Sequence, residues 1–253
     1  MSTLTLDKVS VSLAGRTVLS NINLEFSAAE CVGILGPNGS GKSTLMRAIA
    51  GLIPHDSGAI YIRGKTLAAW PRSDLSRALS YLPQGGQIHW PLSVRNVVAL
   101  GRLPHARSAS DDQAIVRAMD ACDISQFADR PVTSLSGGER ARVLLARALA
   151  SEAKILLADE PFAQLDPNHQ LHAMEVLQAE AVRGALIIVV LHDLSIAARH
   201  CSRVVLLANG SVAADGPPAD TLTSGNLRKT FCIDAFISEH AGAPVILPVK
   251  RRA

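Results

Sequence analysis

The sequence predicts an α/β fold in which helices cover the faces of a mainly parallel sheet. Three observations lead to this prediction. After residue 150, strand-like apolar runs alternate with helix-like segments; before residue 50, a buried run leads into a glycine-rich pattern; and the first 26 residues contain alternating apolar and polar positions. That alternation is typical of half-exposed strands, so the N-terminal part is predicted to be rich in strands.

The first 84 residues are predicted to be strands around a single helix. Strands are expected over residues 4–26, 31–35, 59–63 and 79–82. The second of these is wholly apolar, as in a strand that is buried on both faces. The helix is predicted over residues 44–50, ended by Gly51 and Pro54.

The middle of the chain is predicted to be a mainly helical insertion over residues 85–150. Its helices are expected over residues 93–101, 111–122 and 137–151. Beyond it, strand and helix alternate over residues 154–159, 167–183, 185–191, 193–200 and 203–208. Asn209-Gly210 then predicts a hairpin turn into a strand at 211–214, and Pro217-Pro218 begins a C-terminal extension.

Composition and charge exclude several classes of protein. The chain has 253 residues, 48% hydrophobic and 19% charged, which is enough to bury a large core. The formal charge is +3, and Lys250, Arg251 and Arg252 alone supply three positive charges. The remainder is near neutral, so we expect no nucleic-acid partner, and the basic tail is predicted to be a solvated end.

No secretory leader or membrane-spanning helix is predicted. The first residues lack a basic stretch followed by an apolar core, and the longest wholly apolar run, 185–191, is far shorter than the ~20 residues of a spanning helix. If the protein works at a membrane, another chain must hold it there. The four cysteines form no C-x-x-C pair, so no zinc or redox motif is predicted.

The strongest functional signal is the run G-P-N-G-S-G-K-S-T, which fits the phosphate-binding pattern G-x-x-x-x-G-K-[ST]. Its glycines let backbone N–H groups approach nucleotide phosphates, Lys42 can reach the β- and γ-phosphates, and the Ser43 hydroxyl can bind Mg²⁺. The following helix N-terminus adds partial positive charge. The predicted nucleotide-binding residues are Gly36, Pro37, Asn38, Gly39, Ser40, Gly41, Lys42, Ser43 and Thr44.

An acidic pair supplies the second half of a nucleotide site. The apolar run 154–158 ends in Asp159-Glu160-Pro161. An acid at the carboxyl end of a strand lies at the crevice where such sheets bind ligands. Asp159 can hold Mg²⁺, and Glu160 can accept a proton from an attacking water.

A third signal is the run L-S-G-G-E over residues 135–139, at the start of a predicted helix. Taken alone it indicates an N-cap serine and a flexible turn. The order of phosphate loop, L-S-G-G-E and a strand ending in D-E-P resembles the ATP-binding cassette family over nearly the whole chain. The resemblance implies a RecA-like P-loop NTPase core (1–84 and 151–225) with an N-terminal antiparallel β-subdomain, a helical subdomain with the signature motif (85–150) and a C-terminal extension (226–253).

The resemblance also implies roles for individual residues. Gln84 matches the glutamine that senses Mg²⁺ and the attacking water, and His192 matches the switch histidine at the γ-phosphate. The expected sets are Glu160, His192 and Gln84 for catalysis, Ser43, Gln84 and Asp159 for Mg²⁺, and Leu13, Ser136, Gly137 and Gly138 for the nucleotide besides the phosphate loop. Asp166 matches the end of the loop that contacts the partner subunit, and before Pro167 it is also a good N-cap.

The same resemblance implies ATP and Mg²⁺ as cofactors and a head-to-tail homodimer. Each nucleotide would lie between Lys42 of one copy and Ser136 of the other. Integral-membrane permease subunits are the expected partners, and a periplasmic or surface substrate-binding protein acts indirectly. The expected location is peripheral, on the cytoplasmic face of the inner membrane.

The class of cargo is indicated by the run V-V-A-L-G-R-x-P-H over residues 97–105, which resembles importers of iron chelates, haem and cobalamin. Residues 226–234 and 244–248 resemble the same group, and His89-Trp90-Pro91 lies in the expected permease-contact zone. The expected function is the ATPase that powers such import. The alternatives are an importer ATPase for a metal ion or amino acid, a soluble cassette acting on DNA or ribosomes, and a regulatory module without turnover.

Two places depart from the family pattern. Leu13 stands where many cassettes carry an aromatic residue that stacks on adenine. Phe162-Ala163-Gln164 replaces the commoner small polar residues of the loop that contacts the partner subunit, which leaves the detail of that contact open.

We expect Leu13→Tyr to tighten ATP binding by roughly 0.5–1.5 kcal/mol, because a tyrosine ring can stack on the adenine and leucine has no ring. Calorimetric titration of the wild type and the variant with ATP measures the difference. An unchanged dissociation constant would contradict the prediction.

Overall fold

The computed structural model describes residues 2–86, 88–106 and 108–252. Its strands are β1 (Leu4–Leu13), β2 (Arg16–Phe26), β3 (Cys31–Leu35), β4 (Ser57–Ile62), β5 (Lys65–Thr66), β6 (Leu79–Leu82), β7 (Ile155–Asp159), β8 (Leu186–Val190), β9 (Arg203–Ala208), β10 (Ser211–Gly216), β11 (Ile233–His240) and β12 (Ala243–Arg251). Its α-helices are α1 (Lys42–Ile49), α2 (Arg72–Ala78), α3 (Val94–Ala99), α4 (Ser110–Ala121), α5 (Gly137–Ala150), α6 (Pro167–Val182), α7 (Leu194–His200), α8 (Pro218–Thr221) and α9 (Ser224–Phe231).

The central sheet has six strands in the order β10-β9-β3-β8-β7-β6. All neighbouring pairs are parallel except β10 with β9, which form the hairpin predicted from Asn209-Gly210. A separate antiparallel sheet has the order β2-β1-β4-β5. Both the predicted α/β class and the antiparallel subdomain are therefore confirmed.

The parallel strands are continuous apolar runs because each is buried on both faces. On β8, Leu186, Ile188 and Val190 pack in one core with α1 and the antiparallel sheet, whereas Ile187 and Val189 pack in a second core with the helical segment. Strands β3 and β7 divide their residues between the two cores in the same way. The central sheet thus lies between the two cores and contributes residues to both.

One expectation for the N-terminal part needs correction, and the tail has a structure that was not predicted. Two α-helices, α1 and α2, lie in the first 84 residues, where only one was expected. Lys250, Arg251 and Arg252 are exposed, as expected of a solvated end, but the first two end β12, which pairs with β11, and Arg252 donates to both carboxylate oxygens of Asp234 at 2.9 Å. The hairpin was missed because its stability comes from contacts with α7, where the Ser195 hydroxyl binds both backbone groups of Ile246.

No helix in the described part of the chain is both long and apolar enough to cross a membrane. The helical segment packs on the sheet through α5, whose apolar side includes the buried residues Val143, Leu144, Leu145 and Ala148.

Arg102, just after α3, connects this part of the chain to the C-terminal end of α5. This side chain is only 9% exposed, and its guanidinium donates to Asp111 at 2.9 Å, to the Ala150 carbonyl at 3.0 Å and to Glu152 at 2.8 Å. A cation at the last carbonyls of a helix is favourable because the helix dipole is negative there.

Neighbours of Arg102 strengthen the same contact. Gly101 lies so close to α5 that a Cβ at this position would be 2.2 Å from the Arg147 carbonyl oxygen. His105 Nε2 lies 2.8 Å from the Ser151 carbonyl oxygen. The G-R-x-P-H part of the cargo-class run therefore has a structural role, fastening this segment to the C-terminal end of α5.

We expect Arg102→Ala to lower the free energy of unfolding by about 2–3 kcal/mol, because it removes charge-assisted hydrogen bonds from a buried site. Urea denaturation followed by circular dichroism measures the change. Arg183→Ala is the control, since it removes an exposed ion pair with Glu180 and should cost less than about 0.5 kcal/mol. Equal losses in both variants would show that burial of Arg102 adds nothing.

Candidate functional site

The phosphate loop connects β3 to α1, and two of its glycines are required by the local geometry. A Cβ on Gly36 would lie 2.2 Å from the Leu207 carbonyl oxygen. Gly41 has φ 102° as the N-cap of α1, and a Cβ there would lie 2.6 Å from Leu19 Cδ2. The loop can therefore approach its neighbours closely only because these positions lack side chains.

Two polar side chains of the loop, those of Ser40 and Lys42, are buried. Lys42 Nζ donates to the carbonyl oxygens of Gly36 at 2.8 Å and Pro37 at 3.1 Å, and burial lowers the pKa of its ammonium group. The Ser40 hydroxyl is buried and has no hydrogen-bond partner among the described residues. The loop thus holds a polar group that an anion could satisfy.

Ser43 and Asp159 lie together beneath the loop, as expected for a shared cation site. The Ser43 hydroxyl donates to Asp159 Oδ1 at 3.1 Å, and the Tyr81 hydroxyl donates to Oδ2 at 3.2 Å. Asp159 is fully buried, and this burial raises the pKa of its carboxyl group despite both hydrogen bonds.

The structure brings the three predicted catalytic side chains into direct contact. Glu160 Oε2 accepts from Gln84 Nε2 at 2.5 Å, and Glu160 Oε1 lies 2.7 Å from His192 Nε2. Glu160 comes directly after β7. One residue separates His192 from the end of β8, and one residue separates Gln84 from the end of β6. Since these neighbouring strands are parallel, their carboxyl ends meet at one edge. Glu160 has φ 50°, which lies in the left-handed region.

These residues fit a nucleoside triphosphate with Mg²⁺. The buried Ser40 hydroxyl and the glycine-lined loop suit phosphate oxygens, and the oxygen pair of Ser43 and Asp159 suits a hard cation.

The signature run begins α5 through a complete capping box. Ser136 Oγ accepts from the Glu139 backbone N–H at 3.3 Å, and Glu139 Oε2 accepts from the Ser136 N–H at 2.7 Å. The second bond holds the pKa of the Glu139 carboxyl below its usual range. Sequence reasoning proposed the N-cap but missed Glu139, although the S-x-x-E pattern marks such a box.

The atypical loop Phe162-Ala163-Gln164 packs against the signature run of its own chain. Phe162 is buried, and a Cβ on Gly137 would lie 3.0 Å from Gln164 Oε1. Gln170 Nε2 holds the loop from α6 by donating to the carbonyl oxygens of Phe162 at 3.3 Å and Leu165 at 2.9 Å.

Three further residues singled out in the sequence lie at element ends or in a loop. Asp166 caps α6 by accepting from the His169 backbone N–H at 2.9 Å, so its N-cap role is confirmed. Leu13 ends β1 at the tip of the β1–β2 hairpin and is 40% exposed. Trp90, from the expected permease-contact zone, is 73% exposed. Sequence reasoning missed Tyr81, because an alternating strand pattern does not show where a tyrosine hydroxyl ends.

Comparison with known proteins decides the family. The family model described as ABC transporter matches residues 19–163, more than half of the chain. This chain belongs to the ABC transporter family. It is therefore an ATPase that binds ATP and couples ATP hydrolysis to transport. ATPase subunits of this kind dimerise and work with membrane permeases.

Relatives support the family over almost the full length. The hemin import ATP-binding protein HmuV of Rhodococcus jostii is 41% identical over 251 residues, which cover 97% of this chain and 86% of the relative. The cobalamin import ATP-binding protein BtuD of Halobacterium salinarum is 43% identical over 256 residues, which cover 99% of this chain and 64% of the relative.

A solved structure shows the same fold. It is a chain of an ABC transporter assigned to the metal-chelate type, in an inward-facing conformation. The two structures superimpose with a TM-score of 0.83 and 25% identity over 98% of this chain and 97% of the other.

We expect Ser136→Ala to lower the free energy of unfolding by about 1 kcal/mol, because α5 loses its N-cap acceptor. Ser136→Asp should keep the stability near that of the wild type, because aspartate caps equally well and is favoured by the helix dipole. Chemical denaturation of the three proteins tests this order, and equal stability of the alanine and wild-type proteins would contradict the capping role.

Proposed function

We propose that this chain is the ATPase subunit that powers import of haem or of a related cobalamin-type or iron-chelate cargo. The observation that carries the catalytic part is the contact of Glu160 with both Gln84 and His192, beside the Ser43–Asp159 pair. The import names of the relatives in Rhodococcus jostii and Halobacterium salinarum support the cargo class.

In the proposed mechanism the phosphate loop and Lys42 bind the triphosphate. Lys42 must leave the carbonyl oxygens of Gly36 and Pro37 to reach the β- and γ-phosphates, so nucleotide binding replaces internal hydrogen bonds. Ser43, Asp159 and Gln84 would hold Mg²⁺, which when bound neutralises charge that develops on the phosphate oxygens.

Glu160 is the proposed general base. In the free chain both of its oxygens are occupied, one by Gln84 and the other by His192. His192 is half exposed, so its ring has room to turn towards a γ-phosphate and release one carboxylate oxygen for the attacking water. Glu160 would thus become available to the attacking water only after the nucleotide has bound and His192 has turned to contact its γ-phosphate.

The signature residues Ser136, Gly137 and Gly138 are proposed to act on the nucleotide of a second copy. A head-to-tail homodimer would clamp each nucleotide between Lys42 of one copy and Ser136 of the other. Cleavage of the γ-phosphate changes contacts on both sides, so the dimer opens and moves the permease. The chain would lie peripherally on the cytoplasmic face of the inner membrane, and a substrate-binding protein would act through the permease.

We expect Glu160→Gln to bind ATP normally and to slow hydrolysis by at least about 100-fold, because the amide cannot accept a proton from water. Dimers locked by MgATP should accumulate, and light scattering after size-exclusion chromatography detects them. Glu175→Gln is the matched control, since Glu175 is an exposed residue of α6, and it should hydrolyse ATP at the wild-type rate without locked dimers. Normal turnover by Glu160→Gln would show that Glu160 is not the base.

Uptake assays test the cargo. The chain is first co-purified with its permease from the source cells, and the reconstituted complex is then supplied in turn with haem, cobalamin, an iron chelate, amino acids and free metal ions. ATP-dependent uptake of one of the first three supports the proposal. Uptake of amino acids or free metal ions instead, or failure to retain any membrane subunit, would contradict it.

A further inference from the structure

Tyr81 lies on β6, the edge strand beside β7. The register pairs Tyr81 with Leu157 and Leu82 with Ala158, so the tyrosine lies two positions before Asp159 along the neighbouring strand. Its hydroxyl crosses this gap and donates to Asp159 Oδ2 at 3.2 Å. The contact is therefore built on two paired strands and not on a flexible loop.

The carboxylate of Asp159 depends on its hydroxyl partners. It is fully buried, and Arg47 acts on it electrostatically without forming an ion pair with it in the described part of the chain. A buried carboxylate needs hydrogen bonds to remain charged. Tyr81 supplies one on Oδ2, and Ser43 supplies the other on Oδ1 at 3.1 Å.

The two donors differ in what Mg²⁺ requires of them. The Ser43 oxygen is itself a proposed ligand, so its hydroxyl must change its contact with Asp159 when the cation enters. Tyr81 is no ligand, and its half-buried ring remains on β6. With Mg²⁺ bound, Tyr81 would be the remaining side-chain donor that fixes the direction of the carboxylate.

We propose that Tyr81 is a positioning residue for Mg²⁺, holding Asp159 Oδ2 so that Oδ1 faces the cation beside Ser43. The proposal rests on the proposed function, in which Asp159 and Ser43 hold Mg²⁺ at the nucleotide. Donors behind a metal ligand typically change metal affinity by 10–100-fold when they are removed.

The test compares Tyr81→Phe with Ser80→Ala, both in the hydrolysis-deficient Glu160→Gln background. Tyr81→Phe removes only the hydroxyl and keeps the ring that packs against the core. Ser80→Ala also removes one hydroxyl from β6, but that hydroxyl donates to the Ala148 carbonyl at 3.3 Å, away from Asp159. Thermal melts first verify that both variants are folded.

Calorimetric titration with ATP is carried out in EDTA and over a series of Mg²⁺ concentrations. Tyr81→Phe should match its parent in EDTA but need about tenfold more Mg²⁺ to reach half of the Mg²⁺-dependent gain in ATP affinity. Electron paramagnetic resonance with Mn²⁺ in place of Mg²⁺ should show correspondingly weaker binding of the ion at equal ATP occupancy. Ser80→Ala should behave as its parent in both measurements.

Two results would overturn the proposal. An unchanged Mg²⁺ requirement in Tyr81→Phe would mean that the hydroxyl does not position Asp159. An equal loss of ATP affinity with and without Mg²⁺ would assign Tyr81 to packing alone. Failure of the proposed function gives a different result, because then the parent itself would show no Mg²⁺-dependent gain and Asp159→Asn would change nothing.

Discussion

The shared carboxyl edge of β3, β8, β7 and β6 is the constraint on which the site depends. The four strands are neighbours and parallel, so the phosphate loop, His192, the Asp159-Glu160 pair and Gln84 leave the sheet at the same side. Residues more than 100 positions apart in the chain therefore meet within hydrogen-bonding distance. Parallel pairing needs helices on both faces, and the two cores on either side of the sheet supply them.

Burial at this edge makes the polar groups depend on one another. Asp159 has two hydroxyl donors, Glu160 has Gln84 and His192, and Lys42 uses two carbonyl oxygens of its own loop. Unpaired buried polar groups are costly, and the free chain satisfies these side chains internally, whereas the buried Ser40 hydroxyl has no partner among the described residues. In the proposed mechanism a nucleotide replaces several of these contacts, so that its contacts differ between the two states and it can shift the balance between them.

Hydrogen bonds hold α5 of the helical segment at both of its ends. The capping box fixes Ser136 at the start of α5, and Arg102 donates to the carbonyl oxygen of Ala150, the last residue of the same helix. Exposed Trp90 precedes the segment that carries Arg102. Contact with a permease on this surface would therefore reach the signature serine through one rigid helix of 14 residues.

The sequence by itself determined the fold class, most of the order of strands and helices, and the position of the phosphate loop, because continuous apolar runs, glycines and caps act locally. It also indicated that Asp159, Glu160, Gln84 and His192 belong to one site, since each follows a strand of a predicted parallel sheet or matches a family motif. Only the tertiary structure decided that Tyr81 contacts Asp159, that Gln164 covers Gly137, and that the basic tail forms a hairpin fastened to α7. Strand order, register and the direction of long side chains arise from packing between distant segments, and a local pattern carries no information about them.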